Sequence, residues 1–68
     1  MDYKLLGKNI KEARKSLKMT QEQLAEQIDV STVFISQIEN GSRKPSLETI
    51  YKISIALKIK IDTLINND

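Results

Sequence analysis

The apolar residues of this chain recur at helical spacing in short runs, and each run follows a residue able to cap a helix. The candidate N-caps are Asp2, Thr20, Ser31, Ser46 and Asp62. Gln23 lies three positions after Thr20, which is the arrangement of a capping box. Start signals this close together leave room only for short helices, and no segment indicates a strand. The sequence therefore predicts an all-α fold, a compact five-helix bundle.

The predicted helices share one core, to which each contributes a short apolar stripe. We expect them over about residues 3–17, 20–28, 32–40 and 47–58, followed by a final short helix capped by Asp62. The predicted core residues are Leu6, Ile10, Ala13, Leu17, Leu24, Ala25, Ile28, Ile35, Ile38, Leu47, Ile50, Ile53, Leu57, Leu64 and Ile65. Gly41 is expected to take a positive φ after the third helix, and Pro45 prevents the fourth from beginning before it.

Composition excludes several classes of protein. The chain has 68 residues and neither cysteine nor histidine, so we expect one domain over residues 1–68 without disulfide, metal or cofactor. No nucleophile and base can be assembled from these residues, and there is no glycine-rich phosphate loop, which argues against an enzyme. No apolar run approaches the roughly 20 residues of a membrane span, and the first residues do not resemble a signal peptide. We expect a soluble cytoplasmic protein associated with the nucleoid, with no membrane partner and no small-molecule ligand.

Charge is unevenly distributed, although the net charge is only +2. Residues 1–18 carry +4, residues 19–39 carry −4 and residues 40–60 carry +4. Two basic flanks thus enclose an acidic centre, a pattern that suits contact with phosphates at the flanks. An ordinary solvated surface explains the same charges, so the pattern alone does not decide between the two interpretations.

Residues 21–40 have the spacing of a helix-turn-helix, in which two short helices cross steeply over a tight turn. Ala25 is the small residue required where the two helices approach closely. Asp29 falls in the turn where the backbone is left-handed, a conformation that aspartate tolerates fairly well. The apolar positions that hold the pair together are Leu24, Ile28, Val30, Ile35 and Ile38. All of these residues at the required spacing indicate a helix-turn-helix far more specifically than any one of them does.

This sequence resembles the XRE-type helix-turn-helix domain, the lambda-repressor-like domain of phage repressors and many bacterial regulators, over MTQEQLAEQIDVSTVFISQIENGSRKPSLETIYKISIALKI. The similarity extends from LGKNIKEARKSLKMTQ to the last helix, and its most distinctive parts are TQEQLA, ISQIENG and PSLETI. The family often has glycine where this chain has Lys18 and Asp29. The resemblance implies sequence-specific binding of double-stranded DNA by a transcriptional regulator of the repressor kind, a homodimer at least on DNA.

The resemblance also implies which residues meet DNA. The third helix would lie in the major groove and present Thr32, Val33, Ser36 and Gln37 to base edges. Gln37 can pair with adenine, and Val33 or the Thr32 methyl can cover a thymine methyl, which favours A·T positions. Phosphate or edge contacts are expected from Thr20, Gln21, Ser31, Asn40, Arg43 and Lys44. The alternative for each residue is ordinary helix or loop surface.

Two further sets have roles other than direct contact with DNA. By resemblance, Arg14 and Glu39 pair between the first helix and the end of the third, as a structural brace. The second set is either a patch for self-association or ordinary surface, and it consists of Tyr51, Ile55, Ile61 and Ile65. The alternative function is an adaptor that binds a protein with the same fold, or the DNA-binding subunit of a larger complex, because a fold alone does not fix function.

Overall fold

In a computed structural model, which describes residues 1–66, the chain is a bundle of five α-helices. They are α1 (Tyr3–Ser16), α2 (Gln21–Gln27), α3 (Thr32–Glu39), α4 (Leu47–Ala56) and α5 (Ile61–Ile65). The predicted all-α fold is confirmed, and the predicted bounds are close to those observed. No helix within residues 1–66 has the length and apolar character needed to cross a membrane.

Side-chain oxygens cap the first four helices as predicted. The capping residues are Asp2, Thr20, Ser31 and Ser46, and each accepts a hydrogen bond from the backbone N–H three residues on. Gln23 Oε1 also accepts from the Thr20 N–H at 2.8 Å, which completes the capping box. These contacts are local, so each helix start is determined by three or four residues of sequence.

The fifth helix begins differently from the prediction. It starts at Ile61, Lys60 occupies its N-cap position without a side-chain cap, and Asp62 lies in the first turn. The prediction of Asp62 as the cap is therefore wrong. The position of α5 is set by tertiary contacts, because Leu64 is fully buried and its carbonyl accepts a hydrogen bond from Asn9 Nδ2 of α1 at 2.9 Å.

The ends of α1 to α4 all have one residue in the left-handed region. These residues are Lys18 (φ 55°), Asp29 (φ 58°), Gly41 (φ 81°) and Lys58 (φ 57°). In each case the next N–H donates to the carbonyl five residues earlier, as in Val30 to Ala25 at 3.0 Å and Ile59 to Ser54 at 3.0 Å. The positive φ predicted for Asp29 and for Gly41 is confirmed. Lys58 has no turn-forming chemistry, and the sequence did not predict its conformation.

The core is one apolar cluster to which every helix contributes. Its buried residues are Leu6, Ile10, Leu24, Ala25, Ile28, Ile35, Ile38, Ile50, Ile53, Leu57 and Leu64. Ala13 and Ile65 pack against its edge. The predictions for Leu17 and Leu47 are wrong, since their side chains are 43% and 67% exposed. Leu17 follows the last residue of α1 and Leu47 is the first residue of α4, so both lie at helix ends that extend beyond the core.

Gly7 allows α1 to approach the end of α3 closely. A Cβ atom at this position would meet the Ile38 carbonyl oxygen and lie 2.6 Å from the carbonyl oxygen of Glu39. Both atoms belong to the backbone, so they cannot rotate away as a side chain would. The absence of a side chain at Gly7 therefore sets the distance between α1 and the helix that carries the candidate recognition surface.

Candidate nucleic-acid interface

The turn between α2 and α3 fixes the relation of these two helices. Leu24 and Ala25 of α2 are buried together with Ile35 and Ile38 of α3, and Val30 packs against the same cluster from the turn. The predicted positions therefore meet in the interior. The pair packs as one unit, from which the remaining face of α3 points outward.

The outer face of α3 carries the four residues predicted to read bases. Thr32 and Val33 are exposed, with Val33 at 65%, whereas Ser36 and Gln37 are half-buried. The opposite face holds the buried residues Ile35, Ile38 and Glu39. None of the four is enclosed in the core of the described chain, so an approaching surface can reach all of them.

Hydroxyl groups lie at the start of α2 and of α3, on the capping residues Thr20 and Ser31. Each hydroxyl oxygen accepts a hydrogen bond from its own helix, at 3.0 Å from Gln23 N–H and 3.1 Å from Phe34 N–H. Because a hydroxyl is also a donor, each retains an O–H that can donate to an outside acceptor such as a phosphate oxygen. Both residues are exposed.

A buried ionic network joins three helices behind this surface. Arg14 of α1 donates from Nε to Glu39 Oε2 at 2.7 Å and from Nη2 to Glu39 Oε1 at 3.0 Å. A third donor, Nη1, reaches the Met19 carbonyl at 2.7 Å. The two side chains are 8% and 3% exposed. The structure thus brings together the predicted pair in the two-donor geometry that holds a carboxylate most firmly.

Gln21 enters the same network, which the sequence did not predict. Its Nε2 donates to Glu39 Oε1 at 3.0 Å, and its side chain is half-buried. An amide nitrogen has two hydrogens, so one N–H and the amide oxygen of Gln21 remain for a contact outside the protein. This candidate phosphate contact is therefore anchored to the brace between α1 and α3.

The loop that follows α3 is fixed by its own backbone. Ser42 donates from its N–H to the Gln37 carbonyl at 3.0 Å and to Asn40 Oδ1 at 2.9 Å. Gly41 donates to the Ile38 carbonyl at 3.1 Å, and Pro45 is buried. The loop therefore leaves α3 along one path. The predicted phosphate contacts Asn40, Arg43 and Lys44 are all exposed on it.

Aromatic rings lie under both loop cations, a feature that periodicity does not indicate. The Arg43 guanidinium carbon is 5.2 Å from the centre of the Phe34 ring. Lys44 Nζ is 5.7 Å from the centre of the Tyr3 ring. In each pair the ring belongs to a helix and the cation to the loop, so helical periodicity alone cannot indicate the contact.

The four residues of the candidate self-association patch lie on α4 and α5. Tyr51 and Ile55 are 57% and 59% exposed, and Ile61 and Ile65 are half-buried. Tyr51, Ile55 and Ile61 line a shallow groove of about 550 Å³ between the two helices. Ile65 does not line this groove and packs against the edge of the core instead.

Curated relatives of this chain include short phage and bacterial control proteins. The ImmF control region 10 kDa protein of Bacillus phage phi105 is 34% identical over 64 residues, which cover 94% of this chain and 71% of the relative. Control protein C.BamHI of Bacillus amyloliquefaciens is 40% identical over 63 residues, covering 91% of this chain and 78% of the relative. The immunity repressor protein of phage phi105 is longer, so a 35% identical match over 93% of this chain spans only 44% of that protein.

Solved structures share the fold over nearly the full length. The restriction-modification controller protein C.AhdI of Aeromonas hydrophila has a TM-score of 0.89 at 30% identity, with 94% of this chain and 97% of that chain covered. The clp gene regulator ClgR of Corynebacterium glutamicum has a TM-score of 0.92 at 25% identity, with 96% and 69% covered. The helix-turn-helix family model matches residues 10–64. This chain belongs to the XRE-type helix-turn-helix family of DNA-binding transcription regulators.

Proposed function

We propose that this chain is a homodimeric repressor that binds a two-fold-related operator with α3 in the major groove. The observation that carries the proposal is the division of α3 into a buried face and an accessible face. Ile35 and Ile38 lock the helix to the core, while Val33 and Thr32 project away from it. A major groove is about 12 Å wide and admits one α-helix presented in this way.

The chemistry of the accessible face favours A·T base pairs. α3 contains neither lysine nor arginine, so it lacks the side chains that most often pair with guanine. Gln37 offers an amide that can pair with adenine N6 and N7, and Val33 offers an apolar surface for a thymine methyl. Ser36 donates or accepts and discriminates weakly. We infer a half-site in which A·T pairs occupy the positions opposite Val33 and Gln37.

Contacts with phosphates hold this helix in register. Arg43 and Lys44 supply the charge from the loop after α3, and Asn40 lies beside them. The start of α2 offers Thr20 and Gln21, and the start of α3 offers the Ser31 hydroxyl. Phosphate contacts of this kind orient a protein on DNA without reading its sequence.

A second copy of the chain is the proposed occupant of the groove between α4 and α5. The groove combines apolar Tyr51 and Ile55 with Lys58, Lys60 and Asp62. In a two-fold arrangement Asp62 of one copy can face a lysine of the other, so the rim is complementary to itself. A single small module buries little surface on DNA, and dimerisation doubles the contact.

Selection of bound duplexes from a random pool tests the proposal, and the selected duplex then serves for measurements on variants. Gln37→Ala should weaken binding to the selected duplex by about 1–3 kcal/mol and relax the preference at one base position. Lys44→Ala should weaken the selected and a random duplex alike. Weak binding without any preference between the two duplexes would overturn the proposal and favour a protein-binding adaptor.

Sedimentation without DNA tests the proposed dimer. Ile55→Lys places a charge in the groove and should shift the protein towards monomer. Leu47→Lys is the matched control, because Leu47 is similarly exposed on α4 but does not line the groove. Equal effects of the two substitutions would show that this groove is not the interface.

A further inference from the structure

Two cation–aromatic pairs flank the loop between α3 and α4. Arg43 lies 5.2 Å from the ring centre of Phe34, which belongs to α3. Lys44 lies 5.7 Å from the ring centre of Tyr3, the first residue of α1. Both distances are within the roughly 6 Å at which an aromatic face attracts a cation. Successive cations of one loop are thus drawn to rings on two different helices.

The rings themselves are held in place, whereas the cations are free to meet solvent. Phe34 and Tyr3 are half-buried and pack against the core, while Arg43 and Lys44 are exposed. Within residues 1–66 the ion pair is formed by Arg14 and Glu39. Neither loop cation therefore has a carboxylate partner among these residues. Each ring therefore provides a fixed support beneath a side chain that would otherwise sample many rotamers.

A ring differs from a carboxylate as a partner for a cation. It attracts the charge through its quadrupole but does not cancel it, so the cation can still bind a phosphate. A guanidinium has five N–H donors, and a ring on one side leaves donors available on the others. Long side chains lose rotamer freedom when they bind, and this loss is smaller if the side chain is already restricted. The backbone of the loop is also fixed, since Ser42 is bonded to α3.

We propose that Phe34 and Tyr3 are positioning residues for DNA binding, which hold Arg43 and Lys44 ready for contact with phosphates. The proposal rests on the proposed function, because it assumes that the loop meets the phosphate backbone. The rings act through the cations and need no contact with a base. Their contribution should therefore be the same for every DNA sequence.

A double-mutant cycle between Phe34 and Arg43 tests this role. The variants are Phe34→Leu, Arg43→Gln and the two combined, with Phe34→Tyr as the control that keeps a ring. Their affinity for a random-sequence duplex is measured by fluorescence anisotropy from about 50 to about 200 mM salt. Thermal melting of each variant establishes that it is folded. If Phe34→Leu does not fold, Tyr3→Leu with Lys44→Gln gives the same cycle at the other pair.

We expect Phe34→Leu to weaken binding about two- to fivefold, and Phe34→Tyr to retain the affinity. In the Arg43→Gln background Phe34→Leu should have no further effect. The salt dependence should be unchanged by Phe34→Leu, because the charge remains, and should become shallower in Arg43→Gln by roughly 0.9 in slope. Equal losses in both backgrounds, or no loss from Phe34→Leu, would overturn the inference.

The same measurements keep this inference separate from the proposed function. Binding of the random duplex depends on phosphates alone. If the unmodified protein binds a random duplex but prefers no selected one, the proposed sequence-specific function fails while the cycle still measures the role of Phe34. If it binds no duplex at all, both fail.

Discussion

Replacing Gly7 by alanine sets two opposing effects against each other. In the interior of a helix this change normally adds about 1 kcal/mol of stability, because alanine has the higher helix propensity. Here the new Cβ would meet the Ile38 carbonyl oxygen and lie 2.6 Å from that of Glu39. Overpacking of a well-packed site typically costs about 1–3 kcal/mol, and rigid backbone on the opposing side favours the upper end. We therefore expect a net loss of about 2 kcal/mol in the free energy of unfolding.

The loss should extend beyond stability, because α1 can relieve the contact only by moving away from α3. Such a movement would stretch the hydrogen bond from Arg14 Nε to Glu39 Oε2, which is 2.7 Å long. That bond holds the end of α3, the proposed recognition helix. Binding to a selected duplex should consequently weaken more than the fraction of unfolded protein explains.

Thermal melting followed by circular dichroism measures the first effect. A loss of about 2 kcal/mol corresponds to a fall in Tm of about 8–16 °C for a domain of this size. Lys8→Ala is the matched control, since Lys8 is the exposed neighbour of Gly7 on the same helix and should change stability by less than about 0.5 kcal/mol. A Gly7→Ala protein as stable as its parent would refute the close-approach argument and leave helix propensity as the dominant effect.

Three further predictions follow from the brace, the turn and the accessible face of α3. Arg14→Met leaves the Glu39 carboxylate buried beside the Gln21 amide but without a cation and should cost about 3–5 kcal/mol in urea denaturation, whereas adding Glu39→Met should recover part of it. Asp29→Gly should leave the Tm unchanged or raise the free energy of unfolding by up to about 1 kcal/mol, because it removes the cost of a non-glycine residue at φ 58°. A clear fall in Tm would show that Asp29 carries no such backbone strain. Uracil in place of the thymine opposite Val33 should weaken binding about fourfold, from the loss of one methyl worth about 0.8 kcal/mol. The same replacement in the duplex should have little effect on binding by the Val33→Ala variant. Equal losses of affinity in the variant and its parent would rule out contact between Val33 and the thymine methyl.

Helix starts could be predicted from the sequence where a local side chain determines them. Ser31 accepts from the N–H three residues later, and that geometry needs no information from elsewhere in the chain. The start of α5 depends instead on Leu64 entering the core and on its bond with Asn9, 55 positions away in sequence. Asp62 has the chemistry of a cap, but the docking of α5 puts it in the first turn.

Some features of the candidate interface could be predicted from the sequence, and others could not. The spacing of Ile35 and Ile38 places Val33 on the opposite face, and the structure leaves Val33 exposed. Periodicity within one helix does not reveal contacts between elements, so the ring of Phe34 beside Arg43 became visible only in the fold. The bond from Gln21 to Glu39 is of the same kind, since it joins α2 to α3.

The buried network suits the proposed role of α3, because a short recognition helix needs a fixed direction. α3 has eight residues, too few for a helix to be stable by itself in water. Its start is determined by the Ser31 cap and the turn, but apolar packing of Ile35 and Ile38 alone would tolerate small rotations about the helix axis. Hydrogen bonds are directional, and those at Glu39 come from Arg14 on α1 and Gln21 on α2. Because a buried ion pair adds little net stability over apolar residues of similar size, we infer that its main contribution is to orient α3.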